Sequence, residues 1–274
     1  MAKKKAKAPL PVLPRGVSMI DTHCHLDMLS TGEDIDRIIT RAAGSGVGTI
    51  VTVGINIESS YKAISIAEQY DSVFATVGIH PHNVSELKDN TYSELEKLCS
   101  GKKVVAFGEI GLDYVRQFAP QHIQRQHFAR QVSLAKKMSL PLVIHDREAH
   151  EDILFILEKE APFPAGGVMH CFSGDWEFAQ KVVALGFIIS IPGVVTFNKA
   201  AVLQEVARKI PLNRLILETD APFLAPEPMR GKRNVPEFML YTADKIAELR
   251  AIPLEEVARA TTENAVKLFN IPGI

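Results

Sequence analysis

Two histidines stand two residues apart in the stretch MIDTHCHLD, at the end of an apolar run. Residues i and i+2 of an extended strand point to the same side. His23 and His25 would therefore converge on one point, while Cys24 would face away as a small buried side chain. Two imidazoles at this spacing supply half of a metal site. An HxH triplet also arises by chance, so its meaning depends on the rest of the chain.

Polar residues end five other apolar runs of the sequence. They are His80 and His82 in GIHPH, Glu109 and Asp113 in GEIGLDY, His145 and Arg147 in VIHDR, His170 in VMHCFSG, and Glu218 and Asp220 in LETDAP. Six of the nine histidines fall at such positions. Chance alone is a poor explanation for so many polar residues at the ends of apolar runs. The pattern predicts that they form one shared site.

A mixture of imidazole and carboxylate ligands suits zinc, manganese, iron, cobalt or nickel. Magnesium prefers more oxygen ligands, but we keep it among the candidate ions. The set is too large for one tetrahedral ion with an open position. We therefore predict two divalent ions that share a bridging carboxylate. Such a pair favours hydrolysis, because it lowers the pKa of a water and holds both the attacking and the leaving oxygen.

Eight short apolar runs must position these side chains. They are rich in Val, Ile, Leu and Phe, as expected for parallel strands buried on both faces, and they read VSMIDTHCH, GTIVTVG, SVFATVGIH, VVAFGEIG, LPLVIHD, GGVMHCF, GFIISIPG and RLILETD. Amphipathic segments separate them, the clearest over residues 120–139, and a pair of helices is predicted near 254–269. Eight strand–helix units in about 250 residues predict an α/β fold, a single (β/α)8 TIM barrel with its active site at the carboxyl ends of the strands. A doubly wound sheet is the alternative, but no GxGxxG opens the first crossover.

The bulk composition narrows the class of protein. The 274 residues carry a net charge of −1, which does not favour a broad basic face that coats long nucleic acid. Three cysteines do not form a disulfide framework, so we predict a cytoplasmic setting. No run approaches the roughly 18 apolar residues of a membrane span. We predict no membrane association and no obligate protein partner.

The start of the chain, MAKKKAKAPLPVLPRG, is basic and lacks the apolar region of a signal peptide. We predict that residues 1–18 form a disordered tail and that residues 19–274 form the barrel domain. The alternative role for the tail is an electrostatic tether for nucleic acid.

Seven blocks of the sequence together resemble the TatD family of metal-dependent deoxyribonucleases, which belongs to the amidohydrolase-like barrels. The blocks are DTHCHLD, GIHPH, GEIGLDY, IHDREAHED, HCFSG, ETDAPFLAP and RGKRNVP, and the resemblance covers the chain from Met19 onward. It implies that His23 and His25 bind a first ion together with Asp220. It further implies that Glu109 bridges to a second ion, which is bound by His145 and His170.

Several residues outside this ligand set are candidates for contact with substrate. Arg147 lies two residues after His145 and can grip a phosphate with its two-pronged guanidinium, unless it forms only a surface salt bridge. His80 and His82 can contact phosphate or protonate a leaving oxygen, or merely orient the loop around Pro81. We also assign substrate contacts to Asp113, Arg230 and Arg233, although charged residues such as these are often only solvated.

Together with the resemblance, which implies DNA as the substrate, these residues favour hydrolysis of phosphodiesters at strand ends by a metal-activated water. Asp220 would accept the proton of that water, while His80 and Arg147 would assist at the phosphate. One alternative is an amide or ester hydrolase with the same metal cage, since fold and ligands do not settle the substrate. The other is a non-catalytic metal-binding interaction protein. We expect Phe197, Phe223 and Trp176 to pack in the core rather than stack on bases.

Overall fold

The computed structural model describes residues 9–272, and eight parallel strands form one sheet in the order β1 to β8. The strands are β1 (Met19–Cys24), β2 (Val47–Val53), β3 (Val73–Val77), β4 (Val104–Asp113), β5 (Leu142–Arg147), β6 (Gly167–Met169), β7 (Phe187–Ile191) and β8 (Leu215–Leu217). Each strand falls within or close to one of the eight apolar runs of the sequence. The fold is the predicted (β/α)8 barrel.

The barrel closes where the chain after β8 meets β1. A parallel bridge joins Cys24 to Ala221. The His25 amide donates to the Ala221 carbonyl at 2.8 Å, and the Asp220 amide donates to the His23 carbonyl at 2.9 Å. Closure therefore places the carboxylate of Asp220 directly beside the histidine pair of β1.

Ten helices alternate with the strands in the described chain. They are α1 (Leu26–Leu29), α2 (Ile35–Gly44), α3 (Ile57–Gln69), α4 (Thr91–Leu98), α5 (Gln121–Met138), α6 (His150–Glu160), α7 (Trp176–Ala184), α8 (Ala201–Lys209), α9 (Met239–Arg250) and α10 (Leu254–Phe269). Where we predicted a pair of helices near 254–269, the structure has the single helix α10, since no Gly or Pro interrupts this segment. None of these helices combines the length and the apolar character needed to cross a membrane.

Two apolar clusters hold the barrel together. The larger one packs the helices against the outer faces of the strands. The smaller one takes at least one inward residue from every strand, and Phe269 and Ile271 join it from the end of the chain. Because this inner cluster fills one half of the barrel, the inward positions nearer the carboxyl ends of the strands are left for polar side chains.

The amino-terminal segment joins the barrel before the predicted boundary at residue 19. Residues 1–8 of the predicted tail lie outside the described residues. Within residues 9–18, Val17 is buried, and Leu10 and Leu13 pack against the larger cluster. Burial of apolar area offsets the entropy lost when these few residues become ordered. The basic composition of residues 1–18 did not indicate this packing.

We expect a chain that begins at Met19 to fold and to retain its chemistry but to lose stability. Removing Val17 and Leu13 exposes apolar area of the barrel, which should cost about 2 kcal/mol, or roughly 4–8 °C in Tm for a domain of this size. Thermal unfolding of chains that begin at residue 9 and at Met19 measures this contribution. Equal Tm values for the two chains would show that residues 9–18 contribute nothing to folding.

Candidate metal centre

The polar residues of the site follow from the alternation of side chains along the strands. In β5, β6 and β8, Val143, Val168 and Ile216 belong to the inner apolar cluster. Two positions further along, on the same side of each strand, stand His145, His170 and Glu218. The inner face of the barrel therefore changes from apolar to polar at one level, and the polar level lies at the carboxyl ends of the strands.

In β1, the inward orientation of the polar side chains depends on shifts in the register of its pairing with β2. Its pairing with β2 shifts in register between Met19 and Ile20 and again between Asp21 and Cys24. Ile20 packs in the inner cluster, whereas Cys24 packs in the outer one. The histidines on either side of Cys24 then face the interior, as the two-residue spacing of the pair predicts.

One group of candidate metal ligands comprises His23, His25 and Asp220, whose ligand atoms all lie within 4.8 Å of one another. The Asp220 Oδ1 atom lies 3.4 Å from His25 Nε2 and 3.9 Å from His23 Nε2. Asp220 has a φ of +56°, a left-handed conformation that Asp and Asn tolerate better than most residues. This turn aims the carboxylate into the barrel mouth.

Glu109 lies at the centre of the site. Its Oε2 atom is 3.5 Å from His23 Nε2, and its Oε1 atom is 2.8 Å from His145 Nδ1, 3.6 Å from His170 Nε2 and 3.5 Å from His80 Nε2. It takes part in two further ligand groups, one with His23 and His170 and one with His80 and His145. A carboxylate shared in this way has the position that a bridging ligand requires.

Buried acceptors fix the orientation of the ligand histidines. The Glu218 carboxylate contacts His170 Nδ1 at 3.0 Å and accepts hydrogen bonds from the Ser190 hydroxyl at 2.6 Å and the Cys171 amide at 2.7 Å. Asp113 Oδ2 lies 2.8 Å from His82 Nε2 and 3.4 Å from His145 Nε2. Carboxylates that orient ligand imidazoles in this way are a regular part of metal sites.

The buried carboxylates of the cluster favour positive charge on the residues around them. Burial raises the pKa of Glu109, but the surrounding histidines, led by His80 and His170, outweigh burial and hold that pKa well below its usual range. Burial likewise opposes the charged form of His170, yet Glu218 and Glu109 raise its pKa to about 10. For His145, Asp113 and Glu109 outweigh burial and raise the pKa to about 9. The carboxylates therefore stabilise positive charge at His145 and His170.

Several buried imidazole nitrogens of the site make no hydrogen bond and are therefore free to bind a metal ion. Among residues 9–272, the buried atoms that make no hydrogen bond include His23 Nδ1 and His25 Nδ1. His23 Nε2 and His145 Nε2 make none either, although Glu109 and Asp113 lie 3.5 and 3.4 Å away. Leaving buried polar atoms unsatisfied costs free energy that most proteins avoid. Since the neutral imidazole is a ligand for zinc and related divalent ions, this donor set fits such ions.

The predicted substrate residues lie in different surroundings. Arg147 ends β5 with an exposed side chain that makes no hydrogen bond or ion pair with residues 9–272. Arg230 is exposed, lies over the Phe197 ring at 4.5 Å and is 3.9 Å from Glu227. Arg233 donates from Nη2 to the Met28 and Leu29 carbonyls. This contact gives Arg233 a structural task at the end of α1 in addition to its predicted role.

His80 and Asp113 also acquire contacts beyond their predicted roles. His80 is buried beside Glu109 and His145, in a group that can hold an ion. Burial chiefly, assisted by His145, lowers the pKa of His80 to about 4. Asp113 is fully buried and also accepts from the amides of Val115 and Arg116. Its carboxylate is thus engaged by His82, His145 and two backbone amides.

Three features of the site are predicted by the sequence only in part or not at all. For Glu218 the sequence leaves two roles open, orientation of a ligand or burial in the barrel, and the structure shows a buried carboxylate against His170. Ser190 is not among the predicted residues, although β7 carries it two positions after the inward Ile188. Phe223, expected in the core, is 49% exposed and meets the His25 ring edge-on, with 5.9 Å between centroids. The alternation along β7 and β8 was a signal for the first two, whereas the loop after β8 has no periodicity that would place the third.

Comparison with known proteins adds three relatives. Residues 20–270 match the family described as TatD related DNase. The uncharacterized metal-dependent hydrolase YabD of Bacillus subtilis is 42% identical over 253 residues, 92% of this chain and 99% of YabD. The 3'-5' ssDNA/RNA exonuclease TatD of Erwinia tasmaniensis is 37% identical over 259 residues, 92% of this chain and all of that protein. The crystal structure of YJJV, a TatD homolog from Escherichia coli K12, superposes with a TM-score of 0.88 at 34% identity and covers 93% of this chain and 98% of that one.

Proposed function

The chain belongs to the TatD-related family of metal-dependent hydrolases, and we propose that it is a deoxyribonuclease that removes nucleotides from the ends of DNA strands. The observation that carries this proposal is the convergence of the ligand groups on Glu109 at the mouth of the barrel. The name of the Erwinia relative, a 3'-5' ssDNA/RNA exonuclease, supports a nucleic-acid substrate. The three unpaired cysteines support our proposal of a cytoplasmic setting.

We propose that His23, His25 and Asp220 hold one divalent ion, that His145 and His170 hold a second, and that Glu109 lies between them. Ions bound at these residues would lower the pKa of a water and offset charge on the phosphoryl oxygens. The imidazoles must be neutral to bind. His145 and His170 would therefore have to release the protons that the carboxylates stabilise on them before they could hold an ion.

The remaining steps belong to side chains of the mouth. The Asp220 carboxylate, whose pKa burial would raise but His25 and His170 hold lower, accepts the proton of the attacking water. Arg147 has a free guanidinium at the rim and binds the phosphoryl oxygens. His80 assists at the phosphate or binds an ion, and the metal content of a His80→Ala variant distinguishes these two roles.

The decisive experiment is a substrate panel with the purified protein and defined metals. Single-stranded DNA, duplex DNA, RNA, a small phosphodiester and a small amide are incubated with Mg²⁺, Mn²⁺, Zn²⁺, Co²⁺ or Ni²⁺. We expect release of nucleotides from DNA ends and complete loss of activity on chelation. Turnover of the amide without any phosphodiester would assign the protein to the amide hydrolases instead. Elemental analysis of the same sample counts the ions.

Replacing Arg147 with alanine should weaken phosphodiester turnover without emptying the metal site. A guanidinium bound to phosphate contributes about 1.5–3 kcal/mol, so we expect kcat/KM for DNA to fall roughly 10- to 100-fold. Arg208→Ala, on the outer helix α8, is the matched control and should leave kcat/KM unchanged. If Arg147→Ala loses metal, the residue supports the centre itself, and the role proposed for it is wrong.

A further inference from the structure

Large apolar side chains exposed to solvent are concentrated at the mouth of the barrel. Within the described chain, eight such side chains are exposed, and four of them lie in two loops at this end. Val115 and Phe118 lie between β4 and α5, and Phe223 and Leu224 lie after β8. Phe118 is 62% exposed and Phe223 is 49% exposed. Isolated exposed apolar residues are ordinary, but this grouping around a polar centre is not accounted for by the fold.

The two loops stand on opposite walls of the mouth. In a closed ring of eight strands, β4 and β8 are four strands apart in either direction. Phe118 therefore faces the site from one side, and Phe223 faces it from the other. Two flat apolar surfaces flank the candidate metal centre.

Ring contacts tie each phenylalanine to the histidines of the centre. Phe223 meets His25 with 5.9 Å between ring centroids and an interplanar angle of 73°. Phe118 meets His82 at 4.8 Å and 69°. His25 belongs to the ligand group of Asp220, whereas His82 contacts Asp113 beside His145. The two phenylalanines thus mark the two ends of the row of imidazoles.

We infer that Phe118 and Phe223 are stacking positions for unpaired nucleobases, one on each side of the cleaved phosphate. This inference rests on the nuclease function proposed above and names the form of its substrate. A phosphate held between the two ligand groups carries one nucleoside towards each wall, where an aromatic face stands exposed. Stacking on aromatic side chains binds every base, because every base has a π face.

The same arrangement gives a physical reason for the preference for single strands that the name of the Erwinia relative, a 3'-5' ssDNA/RNA exonuclease, implies. Two neighbouring bases that stack on opposite walls cannot stay stacked on each other within a duplex, so the terminal nucleotides must be unpaired to bind. The Arg230 guanidinium over the Phe197 ring adds positive charge at the same end of the barrel. An end that frays or is already single-stranded therefore binds best.

The test combines Phe118→Ala and Phe223→Ala with substrates that lack single bases. The cleavage products of the wild-type protein first identify the scissile bond in a short single-stranded DNA. Two further substrates then carry an abasic nucleotide on one or the other side of that bond. Phe155→Ala is the matched control, because Phe155 is 64% exposed in the middle of α6. Metal content and Tm are measured for every variant.

With the complete substrate, each mouth variant should lose about 5- to 100-fold in kcat/KM, while Phe155→Ala should match the wild type. The loss for one variant should vanish when the base on one side is missing, and the loss for the other should vanish for the opposite side. Phe→Trp at either position should restore kcat/KM to within about threefold, since Trp also presents an aromatic face.

A loss that persists equally on abasic substrates would overturn the inference, because it would reflect a change in the loop or the metal centre. Equal kcat/KM for wild type and both alanine variants on the complete substrate would overturn it as well, and would leave the nuclease function standing. If the wild-type protein cleaves no nucleic acid with any metal, the proposed function itself fails and the inference fails with it.

Discussion

Glu109→Gln is expected to abolish hydrolysis almost completely while the barrel stays folded. Glu109 contacts four histidines, and its two oxygens face different ligand groups. Glutamine has nearly the same shape, but it lacks the negative charge with which Glu109 would hold the proposed pair of cations. Metal ions contribute several kcal/mol to such reactions, so turnover should fall by at least about 10³-fold.

The measurement is turnover of a short DNA substrate at saturating metal, with elemental analysis and thermal unfolding on the same sample. Glu237→Gln is the matched control, because Glu237 is also buried and pairs with Arg41 away from the metal centre. That control should keep its metal and its turnover, whatever it loses in Tm. A Glu109→Gln variant that keeps both ions and wild-type turnover would refute the bridging role.

The convergence of candidate ligands such as His145 and His170 could be predicted from the sequence because its geometry is local. Strand alternation alone puts His145 and His170 on the side of the inner apolar residues two positions before them. Parallel strands then bring these ends to one edge. No long-range register has to be known for this step, since β5 and β6 carry their own inner apolar residues, Val143 and Val168, as markers.

Alternation indicates that Glu218 and Ser190 face the interior, but which residues they contact depends on register and could not be predicted. The bond between Glu218 and His170 crosses from β8 past β7 to β6, where pairing aligns Val168 with Ile188 and Ser190 with Ile216. A shift of one residue in either pair would turn these side chains to the other face. The position of Phe223 depends on a loop without periodicity and was not predictable either.

The placement of Asp220 illustrates why closure of the barrel matters for the chemistry. The strand before it is only three residues long, so ladder pairing alone does not fix its side chain. Hydrogen bonds across the seam to β1 and a left-handed backbone do so. Asparagine accepts this conformation, whereas alanine at a positive φ would be strained. Asp220→Asn therefore isolates the carboxylate from the backbone.

Asp220→Asn should cost far more in turnover than in stability. The amide keeps the backbone and coordinates an ion weakly, but it cannot accept a proton at neutral pH. Removing a general base typically lowers turnover about 10²- to 10⁴-fold, and weaker metal binding adds to the loss. Turnover of short DNA and metal occupancy are measured on one sample across metal concentrations, so that saturating metal separates the two effects.

Asp34→Asn is the matched control for this substitution, because Asp34 caps α2 through its side chain and asparagine caps helices equally well. It should change neither turnover nor Tm. Suppose instead that Asp220→Asn keeps both ions and nearly wild-type turnover. The proton would then have to be accepted by another residue. Glu218 is a poor candidate, because it is buried and its carboxylate already contacts His170, Ser190 and the Cys171 amide. His80 or His82 would become the base, because their rings reach the mouth from the opposite wall and His80 is neutral at pH 7, its burial having lowered the pKa to about 4.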